Sequence, residues 1–121
     1  MNADPHLLFG LLALQNCLVD QAQVVSAFHA WTRDKTRPLA EHLLALGHMD
    51  ADARDAVSAM VTLHLEKHGG DFARSLASIN AGPSTRKELA GIADPDIDAT
   101  LNYVGPDSRE QAYNDADRTR S

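Results

Sequence analysis

A repeat of 32 residues constrains the fold of this chain more than any other feature. When the sequence is shifted by 32 positions without a gap, residues 6–37 align with residues 38–69 and ten aligned pairs are identical. The identical pairs are Leu7 with Leu39, Leu11-Leu12-Ala13-Leu14 with Leu43-Leu44-Ala45-Leu46, Asp20 with Asp52, Val25-Ser26-Ala27 with Val57-Ser58-Ala59, and Lys35 with Lys67. A period of this length is typical of a repeated supersecondary unit. We therefore expect a packed interaction domain.

The composition indicates helices and argues against nucleic acid as a ligand. The 121 residues suffice for one domain with a modest core. Apolar residues make up 44% of the chain, and alanine and leucine, which favour helices, predominate. Because the net charge is −6 and no basic stripe is present, the chain is a poor candidate for binding phosphate backbones.

The cysteine content and the N-terminus indicate a soluble cytoplasmic protein. Cys17 is the only cysteine, so there is no disulfide framework and a reducing compartment is expected. The first residues lack the basic start of a secretory signal. The longest apolar run, Leu7–Leu14, is far shorter than the ~20 residues that cross a bilayer. We therefore expect no contact with a membrane.

Caps and turn residues predict an all-α fold. Helices are expected over residues 6–16, 21–34, 39–46, a fourth segment ending near 67, 72–79, 84–91 and 95–104. The ungapped repeat favours Asp52 as the cap of the fourth helix, whereas turn chemistry favours Asp50, and the sequence leaves both open. The first four helices form two tandem hairpins, and three short C-terminal helices pack on them as a lid. Residues 1–104 form the domain, and the polar segment 105–121 is expected to be a disordered linker or tail.

The first helix is apolar on all sides, because Leu7–Leu14 contains no polar side chain. A helix of this kind must be enclosed by its neighbours. If the C-terminal helices cover it only in part, the exposed remainder marks a dimer interface, and Leu8, Phe9 and Leu12 are the candidate interaction surface. The second helix is expected to bury Val24, Val25, Phe28 and Trp31, with Ala27 as a further member.

The histidines of the fourth helix have the spacing of a metal-ligand pair. His64 and His68 are four residues apart on one face, so both imidazoles can reach one ion. The sequence offers no further ligand nearby, and no glutamate directly follows His64 as in the zinc-protease motif. We therefore favour a contact with the helix C-terminal dipole, and we predict no metal and no cofactor.

The nucleophilic side chains do not form a catalytic set. Cys17 aligns with Met49 in the 32-residue register, so we expect a buried residue that acts as a compact hydrophobe. Ser26 and Ser58 are equivalent small residues on apolar faces, and the sequence gives them no histidine and carboxylate partners. We therefore predict no catalytic residues and no enzymatic activity for this segment.

Arg33, Lys35 and Arg37 form the one local basic cluster, just before the third helix. Backbone N–H groups and the dipole at a helix N-terminus attract anions, so the cluster is a candidate contact for a phosphate-bearing ligand. A solvated loop between the two repeats is the interpretation that we favour.

Several motifs resemble those of a known group of proteins. They are Leu7-Leu8-Phe9-Gly10-Leu11-Leu12-Ala13-Leu14-Gln15-Asn16, Ala30-Trp31-Thr32-Arg33-Asp34-Lys35, Pro38-Leu39-Ala40, Lys67-His68-Gly69-Gly70-Asp71, Ser75-Leu76-Ala77, Ser84-Thr85-Arg86 and Asp94-Pro95-Asp96. In this order and spacing they resemble the N-terminal helical region that precedes the catalytic domain of large bacterial Hanks-type serine/threonine protein kinases. Where that group usually has glycine after the first helix, this chain has Cys17.

The resemblance covers about residues 6–104 and implies a regulatory or interaction domain. Its linker, here from Gly105, would lead into a kinase domain. The sequence itself contains no glycine-rich loop, HRD or DFG motif, so no catalytic residue carries over. The implied partner is a second copy of the chain or the attached kinase domain.

A weaker resemblance concerns the repeated unit. The run Arg37-Pro38-Leu39-Ala40, followed by Leu43 and Gly47-His48-Met49, is similar to the repeated half of the cyclic-di-GMP-binding N-terminal domains of type II secretion and pilus ATPases. Those domains have Arg-Leu-Gly at the first of these places, and Arg37 aligns with Pro5 in the first copy. These departures argue against nucleotide binding but not against the shared helical architecture.

Three functions are consistent with these observations. We favour a non-catalytic regulatory or protein–protein interaction domain, which the repeat and the missing catalytic set support. The alternative is a small-molecule or nucleotide sensor that binds its ligand at the Arg37 loop. DNA binding is the third, and the acidic charge argues against it.

Overall fold

A computed structural model describes residues 3–79 and 83–104 of the chain. Within these two ranges the backbone forms helices and turns and no strand, which confirms the prediction of an all-α fold. The helices are α1 (Asp4–Gln15), α2 (Gln21–Arg33), α3 (Leu39–Ala45), α4 (Ala51–Lys67), α5 (Phe72–Ala77), α6 (Pro83–Ala90) and α7 (Pro95–Leu101). The segment 105–121, predicted to be a disordered linker or tail, lies outside the described residues.

Aspartate caps start several of these helices, as the sequence predicts. Asp20 Oδ1 accepts a hydrogen bond from the Gln23 N–H at 2.8 Å, and the Asp20 N–H donates to Gln23 Oε1 at 3.0 Å. This reciprocal pair is a capping box, which fixes the start of α2. Asp71 and Asp94 accept from backbone N–H groups in the first turns of α5 and α7.

The start of α1 differs from the prediction. The helix begins at Asp4, and Ala3 occupies the capping position without a side-chain hydrogen bond. The Asp4 side chain reaches the last helix, where Oδ1 accepts a hydrogen bond from Thr100 Oγ1 at 2.6 Å. Asp4 therefore ties the first helix to the last one.

At its turns the repeat has a period of 30 residues rather than 32. Asp20 and Asp50, which cap α2 and α4, are 50 − 20 = 30 positions apart. In the preceding turns Cys17 and Gly47, 47 − 17 = 30 positions apart, have left-handed φ values of 60° and 77°. Asp50 is thus the cap of α4, and the ungapped alignment that favours Asp52 is wrong at this turn.

This register overturns the expectation of a buried Cys17. Cys17 corresponds to Gly47 and is exposed, whereas Val19 and Met49 take the buried position of each turn, 49 − 19 = 30 residues apart. The reason is that helices often end with a residue in the left-handed conformation, which lies at the surface of the turn.

We expect Cys17→Gly to stabilise the protein by about 1 kcal/mol, because glycine adopts φ of 60° without the steric penalty that a Cβ atom brings. Chemical denaturation followed by circular dichroism measures this change. The control is Cys17→Ala, which removes the thiol but keeps the Cβ and should leave the free energy of unfolding nearly unchanged. If both variants gain the same free energy of unfolding, the loss of the thiol and not the backbone conformation causes the effect.

The core is built around α1, which packs against α2, α3, α4, α5 and α7. This enclosure explains why the helix tolerates apolar residues on all sides. Leu8, Phe9 and Leu12 are only 0, 7 and 6% exposed. The interpretation of these three residues as an interaction surface is therefore wrong, because neighbouring helices already cover them.

The three C-terminal helices bury their central leucines as expected, since Leu76, Leu89 and Leu101 are all buried. Helices α5 and α7 pack on α1, and α6 packs on α2 and α7. The Arg86 guanidinium donates to the carbonyl oxygens of Leu101 at 3.3 Å and Val104 at 2.9 Å. These bonds satisfy backbone acceptors at the end of α7, which otherwise lack partners within the helix.

Candidate functional site

An open groove runs along the face of α2 that points away from the core. Its volume is about 670 Å³, and its floor is formed by small and apolar side chains of α2, among them Ala22, Val25 and Ala30. Val25 is half-buried, although the sequence places it in the buried stripe. The core-facing side of α2 instead uses Val24, Ala27, Phe28 and Trp31, which are fully buried.

The walls of the groove carry one apolar and two charged side chains. Leu46, in the turn after α3, is 44% exposed on one side of it. Arg33 and Glu88, both exposed, also line it and form no ion pair within the described residues. Protein–protein interfaces typically have an apolar centre and a polar rim, and this groove likewise has an apolar floor with exposed charged residues at its edge.

Helix α6 places Glu88 near the N-terminal end of α2. The Gln21 side chain donates to Ser84 Oγ at 3.1 Å and accepts from Thr85 Oγ1 at 2.9 Å. Glu88 follows Ser84 and Thr85 by one helical turn and shares their face. Arg33 lies at the other end of α2, about 18 Å from Gln21 at 1.5 Å per residue.

The groove brings together a serine, a histidine and a carboxylate that the sequence does not connect. Ser26, His29 and Glu88 all line it. Among the described residues, however, no hydrogen bond joins their side chains, and a nucleophile requires its base within hydrogen-bond reach. The three residues therefore offer polar contacts to a partner rather than a catalytic set.

The predicted basic cluster is not assembled into one site. Lys35 Nζ contacts Asp94 and Asp96 at 2.9 and 2.7 Å, whereas Arg37, in the loop before α3, lies 3.8 Å from Glu41 in the first turn of that helix. Arg33 lines the groove on α2. The folded chain therefore gives the three cations separate surroundings, a result that sequence proximity alone does not reveal. In addition, α3 has only seven residues and a correspondingly weak terminal dipole.

Lys35 instead fastens the loop after α2 to the start of α7. Lys35 Nζ donates hydrogen bonds to the carboxylates of Asp96 and Asp94, and these bonds, that to Asp96 first, raise the pKa of the Lys35 ammonium. Burial alone would raise the pKa of Asp94, but the Lys35 ammonium and the N–H groups of Ile97 and Asp96 lower it overall. The ammonium also lies 5.0 Å from the centre of the Trp31 ring, a cation–π distance. The contacts of Lys35 therefore stabilise the fold by joining these two segments.

His6 is a second polar group at the edge of the core. Its Nδ1 accepts a hydrogen bond from the Leu39 N–H at 3.2 Å, and its ring centre lies 5.1 Å from that of Trp31. Burial, and then the nearby His42, lower the pKa of His6 below its ordinary value. His42 is itself buried, and its Nε2 is 2.9 Å from the Asp34 carbonyl oxygen.

We expect the protein to lose stability as the pH falls through about 6.5, the ordinary histidine value. Because the pKa of His6 is lowered in the folded state, the unfolded chain binds more protons in this range, and the free energy of unfolding therefore rises with pH. Protonation would also place a hydrogen on His6 Nδ1, which could then no longer accept the hydrogen bond from the Leu39 N–H. Urea denaturation between pH 5 and pH 8 measures the slope.

The matched variant is His6→Asn, whose side-chain oxygen can still accept from Leu39 but does not titrate. It should flatten part of the pH dependence, and the rest is expected from His64, whose pKa is also lowered by burial and then by His68 and Lys67. His29→Asn, at an exposed position of α2, serves as the control. A slope unchanged by His6→Asn would contradict the assignment.

The His64 and His68 rings stack, with their centres 4.8 Å apart. His68 Nδ1 lies 2.8 Å from the His64 carbonyl oxygen, and His64 Nε2 lies 3.3 Å from Ser78 Oγ. Two of the four ring nitrogens therefore have protein partners. In the part of the chain that the structure describes, no group of three or more His, Cys, Asp or Glu side chains is placed to hold a metal ion.

Neither the helices nor the comparisons assign a role to the groove. None of the helices in the described ranges has both the length and the apolar character needed to span a membrane. Comparisons of the chain with known protein families, with curated proteins and with solved structures find no match.

Proposed function

We propose that this chain is a non-catalytic protein–protein interaction domain that regulates an attached bacterial serine/threonine kinase in the cytoplasm. The observation that carries the proposal is the groove on α2, whose apolar floor and exposed charged residues Arg33 and Glu88 are suited to a protein partner. Residues 1–104 form the functional unit, built on two tandem helical hairpins whose turns repeat every 30 residues.

The kinase part of the proposal is supported by the place of the resembling motifs in the fold. Asp94 and Lys35 belong to two of these motifs and contact each other, and Ser84 and Thr85 of a third contact Gln21. The motifs thus hold α6 on α2, and the start of α7 on the loop that follows α2. Residues that stabilise an interaction domain, and not a catalytic site, are what a regulatory region before a kinase domain requires.

The alternative of a nucleotide or anion sensor has less support. It depends on Arg33, Lys35 and Arg37 acting together, and each of them has different surroundings in the folded chain. No other observation favours a small-molecule ligand over a protein partner.

The test is a phosphotransfer assay on the full-length product of the gene, once the reading frame beyond Ser121 is read. Val25→Glu, which places a charge on the floor of the groove, should change the rate or the extent of phosphorylation. Arg74→Glu, at an exposed position of α5, is the control. A frame without a kinase domain, or activity that Val25→Glu leaves unchanged although the variant stays folded, would overturn the proposal.

A further inference from the structure

We propose that the groove on α2 binds the same groove of a second copy of this chain, in an antiparallel dimer with two-fold symmetry. Arg33 of each copy then faces Glu88 of the other copy. This inference rests on the proposed function, because it names the partner of the same groove.

The distribution of charge in the groove is self-complementary. Arg33 lies at the C-terminal end of α2, and Glu88 lies beside its N-terminal end, where α6 is tied to Gln21. A two-fold axis across the middle of α2 places the end of one helix beside the start of the other. This symmetry places Arg33 of each copy beside Glu88 of the other copy, so two equivalent ion pairs form.

The shape of the exposed face supports the same arrangement. Ala22, Ser26 and Ala30 recur at intervals of four residues, so they share one face and allow another helix to approach closely. When two such helices pair antiparallel about their midpoint, Val25 of one copy lies opposite Ala30 of the other. Leu46, 44% exposed at the wall, gains an apolar surface to cover it.

Other protein partners fit the groove less well. A uniformly acidic or basic segment would match one of Arg33 and Glu88 and be repelled by the other. A second copy satisfies both without further assumption. The net charge of −6 opposes association at long range. At physiological ionic strength the Debye length of about 8 Å limits that repulsion, so a weak dimer is expected.

Sedimentation velocity on the 121-residue chain tests the proposal through charge reversal. The wild type should show a weight-average mass that rises with concentration from 13.1 kDa towards twice that value. Arg33→Glu alone and Glu88→Arg alone should remain monomeric at concentrations where the wild type associates. An equimolar mixture of the two variants should associate again, because one chain then carries two acidic groups and the other two basic groups.

The mixing step separates a true interface from misfolding, since two misfolded chains would not restore each other. Glu66→Arg and Arg74→Glu, at exposed positions of α4 and α5, form the matched control pair and should leave association unchanged. A wild type that is monomeric at all concentrations, a mixture that does not associate, or an equal loss in the control pair would each overturn the dimer.

The sedimentation and phosphotransfer experiments can fail independently, so a failure of the dimer is distinguishable from a failure of the proposed function. If the wild type is monomeric while Val25→Glu still alters phosphotransfer in the full-length protein, the groove binds a different protein and only the dimer is excluded. If the dimer forms but phosphotransfer is insensitive to Val25→Glu, self-association stands without a role in kinase regulation.

Discussion

Gly10→Leu is expected to destabilise the protein by about 3 kcal/mol, at the upper end of the usual range for overpacking a core. A Cβ atom on Gly10 would lie 3.1 Å from Leu39 Cδ2, 3.2 Å from Phe28 Cε2 and 3.6 Å from Val24 Cγ1. All three neighbours are fully buried, so they have little room to move. The free energy of unfolding, obtained from urea denaturation, measures the loss.

Two further glycine changes calibrate this effect. Gly10→Ala should be nearly neutral, because small shifts of Leu39 and Phe28 offset the gain of about 1 kcal/mol that alanine brings to a helix. Gly91→Leu is the exposed control, since a Cβ atom there meets only backbone oxygens at 3.4 Å. Wild-type stability of Gly10→Leu would show that α1 does not approach α2 and α3 as closely as described.

The local parts of the fold are well predicted from the sequence, because cap chemistry acts over three or four residues. Asp20 with Gln23, Asp71, and Asp94 before Pro95 each start a helix where the sequence predicts it. The enclosure of α1 also follows in outline, since an apolar helix has to be covered. Which helices cover it depends on tertiary packing, and that decides whether Leu12 is exposed.

The repeat shows where identity between residues is misleading. In the 32-residue alignment Trp31 matches Leu63, yet Trp31 is fully buried and Leu63 is 54% exposed. Short apolar runs such as Leu11-Leu12-Ala13-Leu14 align in several registers, because their residues are so alike. The turn geometry of Cys17 and Gly47, which fixes the register, depends on φ and is visible only in the structure.

The contacts that decide the candidate site join distant parts of the chain. Lys35 reaches Asp94 and Asp96 across about 60 positions, and that contact removes Lys35 from the predicted anion site. The groove likewise depends on Glu88 of α6 lying beside α2. Amphipathic periodicity identifies the exposed face of α2, but it does not identify the walls on either side.

Trp31→Ala is expected to destabilise the protein by about 3–5 kcal/mol, the usual loss when a fully buried aromatic ring is removed. Small domains have a total stability of about 5–15 kcal/mol, so this loss removes a large part of the free energy of unfolding. The ring packs edge-on against Phe28 with centres 6.2 Å apart and supports both His6 and the Lys35 ammonium. Its loss therefore weakens the contact between α1, α2 and the loop that leads to α3.

Trp31→Phe separates the packing of the ring from its polar group. Within the described residues the buried Trp31 Nε1–H has no hydrogen-bond partner, and an unpaired buried donor costs about 1–3 kcal/mol. Phenylalanine removes that donor and leaves a smaller cavity than alanine does, so its net loss of stability should be about 1 kcal/mol or less.

Far-UV circular dichroism must follow the unfolding of both variants, because Trp31 is the only tryptophan and its fluorescence is lost. If the phenylalanine variant loses as much stability as the alanine variant, Nε1 has a partner and the ring is held by that hydrogen bond; if neither variant loses stability, Trp31 is not part of the core.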